Sequence, residues 1–132
     1  MTERTASCAC GATGLSASGD PVRISMCHCG GCKRRTGSAF SLNATWPWEQ
    51  VAVRGDFTTY ARSNEEGQWV REHFCPTCGT RVHYELEVRP GMVSVPVGLF
   101  MDRDFPPPTL ELYRDIAMRT MSASFEPPTE LL

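Results

Sequence analysis

Seven cysteines in a chain of 132 residues are the feature that most constrains its fold. They form three tight groups with the patterns C-x-C, C-x-C-x-x-C and C-x-x-C, namely Cys8 and Cys10, then Cys27, Cys29 and Cys32, then Cys75 and Cys78. An odd number cannot all pair as disulfides, and cysteines two residues apart are poorly placed to bridge each other. In a reducing compartment, clustered cysteines more often bind a metal. The pattern therefore predicts metal sites, with a disulfide scaffold as the weaker alternative.

The two outer pairs predict a structural zinc site with four thiolate ligands. Tetrahedral zinc with Zn–S bonds of about 2.3 Å needs sulfurs roughly 3.8 Å apart, and both C-x-C and C-x-x-C can provide that spacing. We assign this site to Cys8, Cys10, Cys75 and Cys78. In "FCPTCGT" (74–80), Gly79 allows the tight turn that such a pair needs. Metal binding would then be part of folding, whereas one pair being merely buried cysteine is the alternative.

The central triple has one ligand fewer than a closed zinc site. Structural zinc sites are closed, while catalytic sites keep a position for water or substrate. We therefore predict that Cys27, Cys29 and Cys32 hold a catalytic zinc. His28 lies between two of these ligands, so its side chain is expected to point away from the metal. A closed site completed by His28, His73 or His83 is the structural alternative.

A zinc ion with three thiolates is electron-rich and suits a further soft ligand such as a thiol. A thiol bound to zinc is deprotonated, and its thiolate is prepared to attack an electrophile such as an aldehyde. Three cations follow the triple directly, Lys33, Arg34 and Arg35. They are candidates to bind the carboxylates of an anionic thiol, although a solvated basic turn is an equally good interpretation. Trp46 and Trp48 belong either to the pocket wall or, more typically, to the core.

Short runs with period-2 alternation predict a mainly β fold. No helical pattern longer than ten residues stands out. The predicted strands cover residues 15–18, 22–26, 38–46, 51–53, 57–61, 68–74, 81–88 and 92–100. "CKRRTG" (32–37) predicts one helical turn that ends at Gly37, and "FPPP" (105–108) predicts a loop or sheet edge.

Length and composition limit the remaining possibilities. A chain of 132 residues predicts one domain over residues 1–132, with a loosely held tail from about residue 124. The net charge of −2 disfavours a nucleic-acid partner. The sequence contains no run of 18 apolar residues, so no membrane span is predicted. The start "MTERTASCAC" is unlike an export signal. We therefore expect a cytoplasmic protein.

Taken in order, these motifs resemble the glutathione-dependent formaldehyde-activating enzymes. The matching elements are "CAC" (8–10), "CHCGGCKRRTG" (27–37), "CPTCG" (75–79) and "VPVGLFMD" (95–102), and the resemblance spans roughly residues 5–115. It implies a β-tent of several small coiled antiparallel sheets, a structural zinc on the outer pairs and a catalytic zinc on the triple. It also implies a carbon–sulfur lyase that converts glutathione and formaldehyde reversibly into S-hydroxymethylglutathione. Glutathione and formaldehyde are named by the resemblance alone.

Two other functions fit the same cysteines. The family includes centromere protein V-like members, which are binding proteins, so a non-catalytic zinc-stabilised binding module is the main alternative. It predicts a fully occupied fourth ligand position on the triple. Zinc storage or redox sensing by the triple is a third possibility, and it predicts ready loss of metal on mild oxidation.

Overall fold

A computed structural model describes residues 1–121, in which ten strands form two sheets and one α-helix is present. The strands are β1 (Glu3–Ser7), β2 (Gly14–Ser18), β3 (Arg23–Cys27), β4 (Ser41–Pro47), β5 (Val51–Arg54), β6 (Thr58–Ser63), β7 (Trp69–Phe74), β8 (Arg81–Leu86), β9 (Met92–Pro96) and β10 (Leu110–Leu112). The helix is α1 (Gly30–Thr36), and short 3-10 turns cover Trp48–Gln50, Val97–Phe100, Arg114–Ile116 and Arg119–Met121. The prediction of a mainly β, β-tent type of fold is confirmed.

The two sheets differ in size. One contains three strands in the order β1-β2-β5, and the other contains seven in the order β10-β3-β4-β9-β8-β7-β6. All pairs are antiparallel except β10 and β3, which run parallel. The long connection after β9, including the loop at 105–108, lets β10 return in the direction of β3. This pairing sets Leu112 opposite Cys27, so the segment after β10 reaches the cysteine triple.

The core lies between the two sheets and is centred on β4. Ala44 and Trp46 are fully buried there, and Ala17 of the small sheet packs in the same cluster as Val82 and Val95 of the large one. The Trp46 indole donates a hydrogen bond of 3.0 Å to the carbonyl of Gly19, which satisfies its polar atom. Cys8 and Cys75 belong to this cluster, so the outer cysteine group borders the core.

Helix α1 begins and ends as its sequence dictates. The Cys29 side chain caps its N-terminus by accepting a hydrogen bond from the Cys32 amide at 3.3 Å. Gly37 ends it in the left-handed conformation, with φ of 66°. The predicted turn at residues 32–37 is thus present, and the helix extends two residues further toward its N-terminus. A Cβ at Gly31 would lie 2.7 Å from the Arg62 guanidinium, so a larger residue there would require this arginine side chain to shift.

The remaining predictions concern the C-terminal tail, membrane spans, the number of domains and the location. The loosely held tail, from about residue 124, lies outside the described residues. No helix within residues 1–121 is long and apolar enough to cross a membrane. The single domain and the cytoplasmic location stay predictions.

Candidate metal centres and the cavity at the cysteine triple

The outer cysteines converge as the sequence predicts. The four sulfurs of Cys8, Cys10, Cys75 and Cys78 lie within 4.8 Å of one another. The Cys10 sulfur is 3.7 Å from each of the Cys8 and Cys75 sulfurs, close to the edge of a tetrahedral zinc site. The turn after β1 supplies the first pair and the β7–β8 turn supplies the second, so the site connects the two sheets. Among the described residues this is the one group of four ligands that could hold a metal ion.

Hydrogen bonds favour the thiolate, the form that binds metal, at two of the four outer cysteines, Cys8 and Cys78. Hydrogen bonds from Thr13, including its amide at 3.3 Å, lower the pKa of Cys8 to about 5 against the opposing effect of burial. The hydroxyl of Thr80, 3.2 Å from the Cys78 sulfur, is the main cause that lowers the pKa of Cys78 to about 7. The same hydroxyl accepts a hydrogen bond from the Ala9 amide at 3.1 Å and so connects the two halves of the site. These residues fit zinc.

The central triple also converges, but with three ligands only. The sulfurs of Cys27, Cys29 and Cys32 lie within 4.8 Å of one another, and no histidine or carboxylate in residues 1–121 joins them. Cys27 ends β3, Cys29 caps α1 and Cys32 lies in its first turn. Hydrogen bonds from Cys27 and Cys32 lower the pKa of Cys29, while the same bond to Cys29 raises the pKa of Cys27. The donor set fits a soft divalent metal with one position left open.

The histidines lie elsewhere, so the alternative of a site closed by histidine finds no support in the described residues. His28 is 1% exposed, and its Nε2 lies 2.7 Å from a carboxylate oxygen of Glu111 rather than at the sulfurs. His73 and His83 stack on each other with ring centroids 4.6 Å apart on the β7–β8 face. His73 Nε2 lies 2.7 Å from a carboxylate oxygen of Glu85.

A cavity of about 240 Å³ opens onto the triple. All three sulfur residues line it, together with apolar side chains that include Val70 and Leu86, and two tyrosines, Tyr84 and Tyr113. Four arginines also line it, Arg23, Arg62, Arg81 and Arg89. A larger groove of about 660 Å³ lies at the small sheet, and none of the cysteines lines it. The smaller cavity is therefore the candidate functional site.

One buried carboxylate organises part of the arginine wall. Glu72 is 2% exposed and lies 2.7 Å from Arg35 Nε, 2.8 Å from Arg81 Nη1 and 3.5 Å from Arg62 Nε. Three guanidinium groups around a single carboxylate leave an excess of two positive charges. We call these four residues the Glu72 cluster.

Two further arginines in the wall have no acidic partner. Within residues 1–121 neither Arg23 nor Arg89 forms an ion pair, and the buried Arg23 Nε has no hydrogen-bond acceptor. Burial lowers the pKa of Arg23, and the nearby charge of Arg89 lowers it further. Two repelling cations with unused donors in a cavity wall make a site for a carboxylate.

The predicted substrate-binding cations lie outside this cavity. Lys33 donates a 2.6 Å hydrogen bond to the carbonyl of Ile116, Arg34 is exposed and Arg35 pairs with Glu72. None of the three lines the cavity, because the helix that carries them presents its first turn, and not its last, to the sulfurs. A substrate contact by these residues stays a prediction.

Sequence reasoning missed the arginines that do line the cavity. They come from β3, β6, β8 and the turn after β8, and only strand pairing brings them together. No local motif marks them.

The tryptophans do not wall the pocket, which corrects the suggestion that they do so. Trp46 is a core residue, and Trp48 packs edge-on against His83 with its indole nitrogen 3.4 Å from Glu85. All seven cysteines are free, so the disulfide alternative is absent from the structure.

The β6–β7 turn lines the cavity and is hydrogen-bonded to the rest of the chain at two points. A carboxylate oxygen of Glu65 accepts a 3.2 Å hydrogen bond from the Gly31 amide of α1. Glu66 accepts a 2.7 Å hydrogen bond from the Tyr113 hydroxyl, and this interaction raises the pKa of Tyr113 to about 12. Both carboxylates are therefore engaged at the rim.

Comparison with known proteins agrees with this architecture. A family model described as "Glutathione-dependent formaldehyde-activating enzyme" matches residues 3–115. No curated protein matches the chain. A crystal structure of a Rhodobacter sphaeroides protein is similar, with a TM-score of 0.60 and 22% identity over 82% of this chain and 98% of that one. At this identity the likeness shows a shared fold.

Proposed function

The chain belongs to the glutathione-dependent formaldehyde-activating enzyme family, and from that premise we propose that it is a zinc-dependent carbon–sulfur lyase. Its reaction is the reversible addition of glutathione, or a similar anionic thiol, to formaldehyde. The observation that carries the proposal is the convergence of three sulfurs, with no fourth ligand among the described residues, at the wall of an arginine-lined cavity.

Two zinc ions per chain fit the cysteines. Cys8, Cys10, Cys75 and Cys78 would hold the structural ion, and Cys27, Cys29 and Cys32 the catalytic one. When bound at the triple, zinc supplies a positive centre that stabilises an added sulfur ligand as thiolate. The chain's own part is to bind, orient and desolvate the reactants.

Orientation comes from the unpaired arginines. A carboxylate of the thiol is stabilised between Arg23 and Arg89, because it relieves their repulsion and accepts their free N–H groups. Arg62 and Arg81 are paired with Glu72, so they add positive electrostatic potential to the cavity but do not offer free N–H donors to a ligand. Anchoring the far end of the thiol fixes where its sulfur lies, which reduces the entropy lost in reaching the transition state.

The reaction forms one carbon–sulfur bond. The thiolate sulfur donates its electron pair to the aldehyde carbon, the carbonyl π pair moves to oxygen, and that oxygen takes one proton. The proton balances the one that the thiol released, so the step needs no redox partner. In reverse, the alcohol loses its proton and the carbon–sulfur bond breaks. The apolar wall of Val70 and Leu86 limits water at this bond.

Exchange spectroscopy tests the proposal. NMR would measure exchange between glutathione plus formaldehyde and their adduct at equilibrium, with zinc-loaded protein, without protein, and with the Cys29→Ser variant. We expect acceleration over the protein-free reaction that is lost in the variant. Circular dichroism would verify that the variant is folded. No acceleration by folded, fully metallated protein contradicts the proposal and favours the binding-module alternative.

A second comparison tests the anchor. Arg89→Gln is expected to slow exchange with glutathione but not with cysteamine, a thiol without a carboxylate. Arg34→Gln is the matched control, because Arg34 is exposed and outside the cavity. A loss in Arg34→Gln without a loss in Arg89→Gln would assign the anchor to the predicted helix cations instead, and equal losses would contradict a specific role of Arg89.

A further inference from the structure

A buried amide in the cavity wall has an unused acceptor. Asn43 is 2% exposed and lines the cavity that holds the three sulfurs. Its Oδ1 has no hydrogen-bond partner. Buried carbonyl oxygens are normally satisfied, because an unpaired one costs free energy. An acceptor left open next to a reactive centre indicates that a ligand supplies the donor.

The orientation of this amide follows from its neighbours. Asn43 Nδ2 donates a 3.0 Å hydrogen bond to the hydroxyl oxygen of Ser41. The amide nitrogen is thus bonded to Ser41, and Oδ1 is the polar side-chain atom of this cavity-lining residue that has no partner.

Strand register places this acceptor beside the sulfurs. Ser41 pairs with Cys27, and Asn43 pairs with Ser25, across the β3–β4 ladder. Directly paired residues project their side chains to the same face of a sheet. Asn43 therefore lies on the same face of β4 as Ser41, the residue opposite the ligand Cys27, and is two residues, or roughly 7 Å, further along the strand. A ligand group one carbon from a sulfur held at the triple lies within reach of that side chain.

Resting on the proposed function, we propose that Asn43 determines specificity by accepting a hydrogen bond from the hydroxyl of the thiol–aldehyde adduct. The cavity then favours an S-substituent that carries a donor over an apolar one of the same size. An acceptor stabilises the alcohol form of the adduct and leaves its protonation to solvent. Asn43 is in this sense a residue for recognition of the adduct.

Two ligands of equal size isolate this interaction. S-hydroxymethylglutathione and S-ethylglutathione differ only in that a methyl group replaces the hydroxyl. Affinities for zinc-loaded protein would be measured by protein-observed NMR, with the labile adduct kept in equilibrium with its components. We expect the wild type to bind the hydroxymethyl ligand roughly ten to a hundred times more tightly.

Two variants test whether the preference for the hydroxymethyl ligand depends on Asn43 Oδ1. Asn43→Leu retains most of the volume but removes the acceptor, and it is expected to bind both ligands about equally. Thr45→Val, on the same strand, removes a buried hydroxyl that bonds Ser94 outside the cavity, and it should keep the wild-type preference. A purely structural role of Asn43 would change both affinities together and leave their ratio unchanged.

The outcomes separate the two proposals. A wild type without preference, or an Asn43→Leu variant that keeps it, overturns the role of Asn43 even if exchange is accelerated. A wild type with the preference but without acceleration supports the recognition site and contradicts the lyase. Binding of neither ligand contradicts both. If Asn43→Leu fails to fold, Ser41→Ala, which frees the amide to rotate, is expected to reduce the preference instead.

Discussion

The Glu72 cluster allows a quantitative test of how this cavity is stabilised. Replacing Glu72 by glutamine keeps the shape of the side chain and removes its charge. Removal of one partner from a buried ion pair typically costs about 3–5 kcal/mol, because the other charge stays buried and uncompensated. The Glu72 side chain is 2% exposed, and its partner Arg81 is 5% exposed.

The expected loss lies at the lower end of that range. Arg62 and Arg35, with side chains 17% and 26% exposed, can turn toward water when the charge is gone. The glutamine oxygen can still accept one hydrogen bond from Arg81. We therefore expect Glu72→Gln to lower the free energy of unfolding by about 3 kcal/mol, which corresponds to a fall in Tm of roughly 10–15 °C for a chain of this size.

Urea unfolding with saturating zinc and a reductant measures this loss. Asp20→Asn is the matched control, because it makes the same change of carboxylate to amide in a surface pair with Arg4 at 3.5 Å, where the Asp20 side chain is 83% exposed. That control is expected to lose at most about 1 kcal/mol. If Glu72→Gln lost no more than the control at an unchanged m-value, the cluster would not depend on its carboxylate and the reasoning would be refuted.

Three further predictions concern metal, the rim and pH. Wild type should bind two zinc ions by elemental analysis, whereas Cys32→Ser should bind one and keep its fold by circular dichroism; a variant that still binds two contradicts the assignment. Tyr113→Phe removes the hydroxyl that hydrogen-bonds Glu66, so amide hydrogen exchange in the β6–β7 turn should become faster. Exchange as slow as in wild type would show that this hydrogen bond does not hold the turn in place. Burial, followed by the charge of His73, lowers the pKa of His83 to about 4. Between about pH 4 and about pH 6.5, His83 is protonated in the unfolded chain but not in the folded protein. The free energy of unfolding should therefore fall by about 2–3 kcal/mol as pH drops from about 6.5 to 4. His83→Gln, compared with wild type at each pH in saturating zinc, should lack this component, and parallel curves would contradict it.

Most of the fold was accessible from the sequence because its signals are local. Period-2 alternation and turn residues identified eight of the ten strands, for example β2 and β4. The missed strands were β1 and β10, which are short or polar and are formed by pairing rather than by their own pattern. The cysteine groups were equally visible because metal ligands come at fixed short spacings. What spacing predicted, namely a group of four and a group of three, is what the fold brings together.

The rest of the candidate site was not accessible, because its residues are separated along the chain. Arg23 and Arg89 lie 66 positions apart in the sequence and meet through the order of the strands in the large sheet. Asn43 looked like an ordinary strand residue, and only its buried and unpaired oxygen distinguishes it. Local basic residues drew attention to Lys33 and Arg34 instead, although a helix end rich in cations also has a simple explanation in the helix dipole.

The net charge of the whole chain does not describe how charge is distributed in the cavity wall. The net charge of −2 disfavours polyanionic partners such as nucleic acids. The cavity nevertheless concentrates four arginines, and its two lining glutamates, Glu65 and Glu66, are engaged at the rim. Three thiolates with a divalent ion would contribute about one negative charge, and Glu65, Glu66 and Glu72 contribute three more, so the four arginines are balanced as a set. The positive charge without a paired carboxylate lies at Arg23 and Arg89, and the anionic thiol proposed above would satisfy both these two cations and the metal.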